Sequence, residues 1–241
     1  MTTAITELVS GFVIHRIDDL PDDDGSIRVV STDLDQQETE TAQLSWLSTS
    51  EKVRAARLKN PLERQRFTAS KVSTRRVLNG LTGILPENLE ILRDKCGKPY
   101  LTSPAAAVHP PSESPLKFSV SHSENCLCVA TALGRHVGVD IEVMNPNLDA
   151  RAISETCLPL EDIDRVRRSS LRERSLVFYR LWTRREAFAK MRGHGVNSDH
   201  LHRTPSLPWS LRSIEFTLGK KQIVGSFAIA AKQPPDEPFV T

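Results

Sequence analysis

The sequence predicts an α+β protein built from two similar halves, each a small sheet packed by helices. Three observations carry this. Each half reads strand, helices including one long basic helix, then a β-hairpin. At an offset of 109 the long helices match at Leu62/Leu171, Thr74/Thr183, Arg75/Arg184 and Arg76/Arg185. A Gly134-Arg135-His136 turn separates residues 1–133 from 137–241 as the expected halves. Repeated element order favours two α+β units over one continuous sheet.

The elements follow from local patterns. GFVIHRID has partly alternating apolar residues and reads as a strand. Residues 18–42 are rich in Asp, Thr and Gln and read as loop. Ser48 or Ser50 caps a helix through EKVRAARL, with Glu51 in its first turn. Pro61 opens the helix LERQRFTASKVSTRRVLNGL, which Gly80 and Gly83 close. ENLEILRD reads as a short strand. The proline-rich stretch 103–115 reads as irregular loop. KFSVSHSENCLCVATAL reads as two strands turning at Glu124-Asn125. HVGVDIEVM is a strand; 147–168 is helical with a break at Pro159; 171–192 is the longest helical pattern, ended by Gly193 and Gly195. SIEFTLGKKQIVGSFAIAA is a hairpin turning at Gly219-Lys220, and the last ten residues read as loose.

Composition narrows the function. At 241 residues with 39% hydrophobic and 26% charged side chains, the chain is globular rather than disordered. No apolar run is long enough for a membrane helix, and the start lacks the pattern of a secretory signal. Cys96, Cys126, Cys128 and Cys157 form no framework spacing, so reduced thiols and a cytoplasmic location are expected. The net charge of +2 hides blocks: −8 over residues 1–42, +7 over 43–80 and +8 over 165–192. With aromatics at 5%, the basic segments lack the stacking residues of a single-strand nucleic-acid binder. They suit a defined anionic ligand or an acidic protein surface.

Few residues stand out as chemical. In HVGVDIEVM the odd positions Val137, Val139, Ile141 and Val143 are apolar, so Asp140 and Glu142 share the opposite face, roughly 6.7 Å apart. Two adjacent carboxylates suit a hard divalent cation such as Mg²⁺; a solvated sheet face is the competing reading. On the long helix Glu186 and Lys190 are i,i+4 neighbours, as a plain surface ion pair would be. Trp182, one turn earlier, points instead to partial burial. Ser121 and His122 are adjacent on a strand and face opposite sides, so they cannot be a nucleophile–base pair. They could hold a phosphate at the strand end; a structural histidine is the alternative. Lys98 lies in a Gly/Pro turn, where its ammonium either meets an anion or is simply exposed. His200 and His202 lack the partners of a zinc site. There is no phosphate loop and no GxGxxG.

Together these segments resemble the 4′-phosphopantetheinyl transferase superfamily, in its larger two-half type that activates peptide and polyketide synthetases. The resemblance spans about residues 45–200. GVDIE (138–142) and WTRREAFAK (182–190) are similar to its G-[IV]-D-x-E and W-x-x-K-E-A-x-x-K patterns; GKP (97–99), FSVSHS (118–123) and the ERQRFTASKVSTRRVL helix support it. The resemblance implies two pseudo-symmetric halves with coenzyme A in the cleft between them. It implies that Asp140, Glu142 and Glu186 hold Mg²⁺, or Mn²⁺. His122 and Ser121 would contact the phosphates, Lys98 would lie along the adenine nucleotide, Arg66 and Lys52 would meet the 3′-phosphate, and Lys190 would neutralise the pyrophosphate. An apo acyl or peptidyl carrier protein with an acidic surface is the implied partner, and a monomer the implied state. Two departures stand out. Arg185 occupies the lysine of the family's W-x-x-K-E pattern, keeping charge but not proton-transfer capacity. The segment between GKP and FSVSHS is long because of its prolines.

Overall fold

The computed structural model describes residues 6–9, 11–15, 27–102, 115–193 and 209–231. The first half opens with β1 (Thr6–Val9), β2 (Phe12–His15) and β3 (Arg28–Asp33). A 3₁₀ turn at Thr41–Trp46 leads to α1 (Thr49–Arg57) and α2 (Pro61–Thr82). Then come the small ribbon of β4 (Ile91–Arg93) and β5 (Pro99–Leu101) and the hairpin of β6 (Leu116–Ser123) and β7 (Cys126–Leu133). The second half runs β8 (Val137–Val143), α3 (Ala150–Cys157), α4 (Leu160–Arg168), α5 (Arg174–Arg192), β9 (Trp209–Leu218) and β10 (Lys221–Ala230).

The local signals act as expected. Ser48 caps α1 through the Glu51 amide, and Glu51 returns the bond to the Ser48 N–H. Asn60 caps α2 with Pro61 at its first position, and Gly83 ends it in the left-handed region. Gly193 ends α5 the same way. Pro159 separates α3 from α4.

Residues 18–42 are not all loop. β3 lies inside the five-stranded antiparallel sheet β1-β2-β3-β7-β6, paired with β2 and β7. Its Val29, Val30, Ser31 and Thr32 are all buried. A strand covered on both faces carries no alternation, and Asp- and Thr-rich flanks concealed it. β5 and the 3₁₀ turn likewise have no counterpart in the sequence-based expectation. The expectations for Gly195, His200, His202, residues 103–114 and residues 232–241 lie outside the described residues.

The second sheet has the order β8-β10-β9. The two sheets face each other across one apolar core. Val29, Cys126, Cys128 and Ala130 from the first meet Val137, Val139, Ile141, Phe227 and Ile229 from the second. Outside the first sheet α2 packs through Ala69 and Val77 on Leu127 and Val129. Outside the second, α5 packs through Ala187 and Met191 on Ala228 and Ala230. The layers therefore run helix, sheet, sheet, helix, which agrees with the two-half α+β expectation. The helix identities at offset 109 hold only in part: Thr74 and Thr183 are both buried, whereas Arg75 is buried and Arg184 exposed.

Candidate active site

The odd face of β8 enters the core, as its periodicity predicts, so Asp140 and Glu142 lie on the even face. That face is not open to water: α5 lies across it. The contact is close because position 138 is glycine. A Cβ there would sit 1.9 Å from the Ala187 carbonyl oxygen and 2.4 Å from the Met191 nitrogen. This approach brings the last turns of α5, with Glu186 and Lys190, over Asp140.

Asp140 is 4% exposed. Its Oδ1 accepts from Lys190 Nζ at 2.7 Å and from Ser121 Oγ at 2.9 Å. Its Oδ2 is buried and has no protein partner. Burial pushes the Asp140 carboxyl upward more than Lys190 and Ser121 pull it down. Glu142 accepts from Ser123 Oγ at 2.7 Å and from the Trp182 side chain. Burial raises it too, helped by the charge of Asp140. Glu186 is half-buried, as its place one turn after Trp182 suggested. Burial, then the charges of Asp140 and Glu142, push it up to about 7.

Among the described residues no three His, Cys, Asp or Glu side chains are gathered into a ready-made metal site. The donor set nevertheless fits a hard cation. The charge of Asp140 raises the pKa of Glu142 and Glu186, and one buried Asp140 oxygen lacks a partner; a divalent ion relieves both conditions.

β6 meets β8 through side chains. The hydroxyls of Ser119, Ser121 and Ser123 accept the outward N–H groups of Val139, Ile141 and Val143, at 3.1, 3.3 and 3.0 Å. Edge N–H groups buried without acceptors would each cost roughly 1–3 kcal/mol. The signal was legible in the serines at alternate positions of FSVSHS, but its meaning required knowing which edge they face.

The remaining predicted residues scatter. His122 is exposed on the face opposite Ser121. Lys98 donates to the Met191 carbonyl at 2.7 Å and to that of Val137 at 3.3 Å, tying the β4–β5 turn to the end of α5. Burial lowers its pKa to about 8. Arg66 holds Asp35 with two bonds of 2.7 and 2.6 Å. Lys52 is exposed on α1. Arg185 is half-buried with its Nε unpartnered, on the side of α5 facing Asp162 and Cys157.

Sequence reasoning missed a second cationic group. Arg75, 2% exposed, donates to Glu51 at 2.8 Å, and Lys71 lies 3.9 Å from the other Glu51 oxygen. Lys71 and Arg54 flank the Phe67 ring. Lys71 is depressed by burial against the pull of Glu51, with Arg93, Arg75 and Arg54 adding repulsion. Two cations thus share the Glu51 carboxylate, with Arg54 and Arg93 close enough to repel Lys71. The basic α2 pattern announced charge, but not its convergence with Glu51, Arg54 and Arg93.

The two-half α+β fold agrees with the class that the sequence resemblance implies, the 4′-phosphopantetheinyl transferases. Residues 136–233 match the profile of the 4′-phosphopantetheinyl transferase superfamily, and residues 35–134 match that of the 4′-phosphopantetheinyl transferase N-terminal region. The chain is 32% identical over 164 residues to the 4′-phosphopantetheinyl transferase HetI of Nostoc sp., covering 68% of this chain and 67% of HetI. It is 27% identical over 150 residues to the 4′-phosphopantetheinyl transferase AcpT of Salmonella typhimurium, covering 62% of this chain and 66% of AcpT. The chain belongs to the 4′-phosphopantetheinyl transferase superfamily and is an enzyme of that class. None of its described helices is long and apolar enough to cross a membrane.

Proposed function

We propose that the protein transfers the 4′-phosphopantetheine arm of coenzyme A to a serine of an apo acyl or peptidyl carrier protein, releasing 3′,5′-ADP. The observation that carries this reading is the approach of α5 to β8 at Gly138, which sets Lys190 on Asp140 beside Glu142 and Glu186. In the reaction the carrier serine oxygen bonds to the β-phosphorus of coenzyme A, and the bridging oxygen to the α-phosphorus leaves with 3′,5′-ADP. Asp140, Glu142 and Glu186 would hold Mg²⁺, which would supply positive charge for the pyrophosphate oxygens. Lys190 adds its ammonium on the same side. Glu186, or a water on the metal, would accept the serine proton. The enzyme's contribution is then mainly position and charge.

The cationic group of Arg54, Lys71 and Arg93, beside the buried Arg75–Glu51 pair, offers the 3′-phosphate a second anchor next to Arg66, which Asp35 engages in this structure. Arg168, Arg172 and Arg184 are exposed on and beside α4 and α5 and would meet an acidic carrier surface. We further place the protein in the cytoplasm, as a monomer of two halves divided at residues 134–136.

Intact-mass measurement of apo carrier proteins incubated with coenzyme A and Mg²⁺ tests the reading. At least one carrier should gain the phosphopantetheine mass, and none should when the divalent ion is chelated. A folded protein that modifies no acyl or peptidyl carrier would overturn it.

A further inference from the structure

The β6–β8 contact repeats one geometric unit. The Ser121 hydroxyl accepts the Ile141 N–H at 3.3 Å and donates to the Asp140 carboxylate at 2.9 Å. Two residues on, the Ser123 hydroxyl accepts the Val143 N–H at 3.0 Å and donates to the Glu142 carboxylate at 2.7 Å. Each hydroxyl thereby binds a β8 residue's carboxylate and the next residue's amide, which fixes where the carboxylate points. Ser119 accepts the Val139 N–H at 3.1 Å. The β8 residue before Val139 is Gly138, which offers no carboxylate.

Hydroxyl capacity then decides what Ser121 can do. A serine oxygen has one proton to donate and two lone pairs. The proton goes to Asp140; the lone pairs take Ile141 N–H and, at 3.1 Å, Lys190 Nζ. The oxygen is fully used inside the protein, and Ser121 is 6% exposed. Releasing the hydroxyl to a phosphate would strand a buried amide and loosen the Asp140–Lys190 pair together. Ser123 differs in being less buried and in having one lone pair left.

We propose that Ser121 and Ser123 are positioning residues of the transfer reaction, orienting Asp140 with Lys190 and Glu142 respectively, rather than ligands of the nucleotide. This rests on the reading of Asp140, Glu142 and Lys190 as the reacting centre. It turns a serine-alternating strand into the ruler that sets two carboxylates at fixed spacing on its neighbour.

The test uses Ser121→Ala and Ser123→Ala, with Ser119→Ala as the control that removes an amide acceptor but touches no carboxylate. For each, kcat and KM are measured with coenzyme A and with 3′-dephospho-coenzyme A, nucleotide affinity by calorimetry, and amide exchange at Val139, Ile141 and Val143. Ser121→Ala should lose kcat by roughly 10–100-fold, as loss of an orienting partner generally does. The loss should be the same with both nucleotides, nucleotide affinity should hold, and Ile141 exchange should quicken. Ser119→Ala should quicken Val139 exchange and keep kcat. A Ser121→Ala protein whose coenzyme A affinity falls by about tenfold or more would mark a phosphate ligand and overturn the proposal, a ligand of the 3′-phosphate if 3′-dephospho-coenzyme A is unaffected and of the pyrophosphate if both weaken. So would an equal kcat loss in Ser119→Ala. Should Ser121→Ala fail to fold, the less buried Ser123→Ala separates positioning from ligand binding by the same measurements. If the wild-type protein transfers nothing to any carrier, the functional reading falls by itself; exchange and nucleotide affinity still decide whether these serines serve β8 or the ligand.

Discussion

Replacing Gly138 with alanine tests the packing that builds the site. The added carbon falls 1.9 Å from the Ala187 carbonyl oxygen, about 1.5 Å short of ordinary contact, and 2.4 Å from the Met191 nitrogen. Both atoms are backbone of α5, so no side chain can swing aside; the helix itself must lift. A shift of that size stretches the 2.7 Å bond between Lys190 and Asp140 to about 4 Å, beyond hydrogen-bonding range. Overpacking costs about 1–3 kcal/mol, and loosening a charged hydrogen bond adds roughly 1–2 kcal/mol. At about 2–4 °C per kcal/mol for a chain of this size, Tm should fall by roughly 5–15 °C. Misplacing catalytic groups by about 1 Å can cost on the order of 100-fold in rate. The assay is thermal unfolding, together with phosphopantetheine transfer followed by carrier mass well below the variant's Tm. Gly80→Ala is the contrast. Nothing lies within 4 Å of that position in α2, and Tm should rise slightly, since alanine is the better helix former by about 1 kcal/mol. A Gly138→Ala protein with wild-type Tm and rate would refute the idea that this approach assembles the site.

Other expectations follow from the same geometry. Asp140→Asn should reduce transfer by on the order of 1,000-fold, comparable to removing a principal electrostatic group, while Tm moves little because burying the carboxylate is itself costly; a collapse of Tm would assign Asp140 a structural role. Lys71→Met should raise KM for coenzyme A by about tenfold, one charged contact's worth, and leave 3′-dephospho-coenzyme A unaffected; equal effects on both would remove the phosphate from that cluster. Lys98→Met should lower Tm and quicken exchange in the last turn of α5, because the Met191 carbonyl loses its donor; unchanged exchange there would show the contact to be idle. His15 is buried against Phe216 and bonded to Ser31, and burial lowers its pKa to about 4. Its folded pKa lies below the unfolded value, so the unfolded chain takes up the proton first as pH falls. The stability it lends is complete above about pH 6.5 and is lost toward pH 4; at pH 5.5 the loss is about 1 kcal/mol. His136 acts in the same direction and Glu186 in the opposite one. The clean measurement is therefore wild type against His15→Gln between about pH 7.5 and 5.5, where the variant should lose less stability; parallel curves would contradict the assignment.

Much of this was legible in residues close together along the chain. The caps at Ser48, Asn60 and Gly83 marked helix ends because capping is a local exchange of hydrogen bonds. The alternation of HVGVDIEVM placed Asp140 and Glu142 on one face because strand geometry repeats every two residues. The order of short motifs pointed to the family, and Trp182 announced the shelter of Glu186. Sequence alone did not disclose β3, whose burial on both faces erases periodicity. Nor did it show that Arg66 is engaged by Asp35, or that Lys71 and Arg75 converge on Glu51 across two helices.

What the sequence determined by itself is which residues form each element and which face of it is polar. What the tertiary structure alone decided is what covers that face: α5 over β8, admitted by the missing side chain of Gly138, and the β6 serines along its edge. The reason is one of range. Backbone geometry repeats within a few residues, so its imprint survives in a linear pattern. The field at a carboxylate depends instead on groups 19 to 50 positions away, which meet only once the sheets and helices have packed.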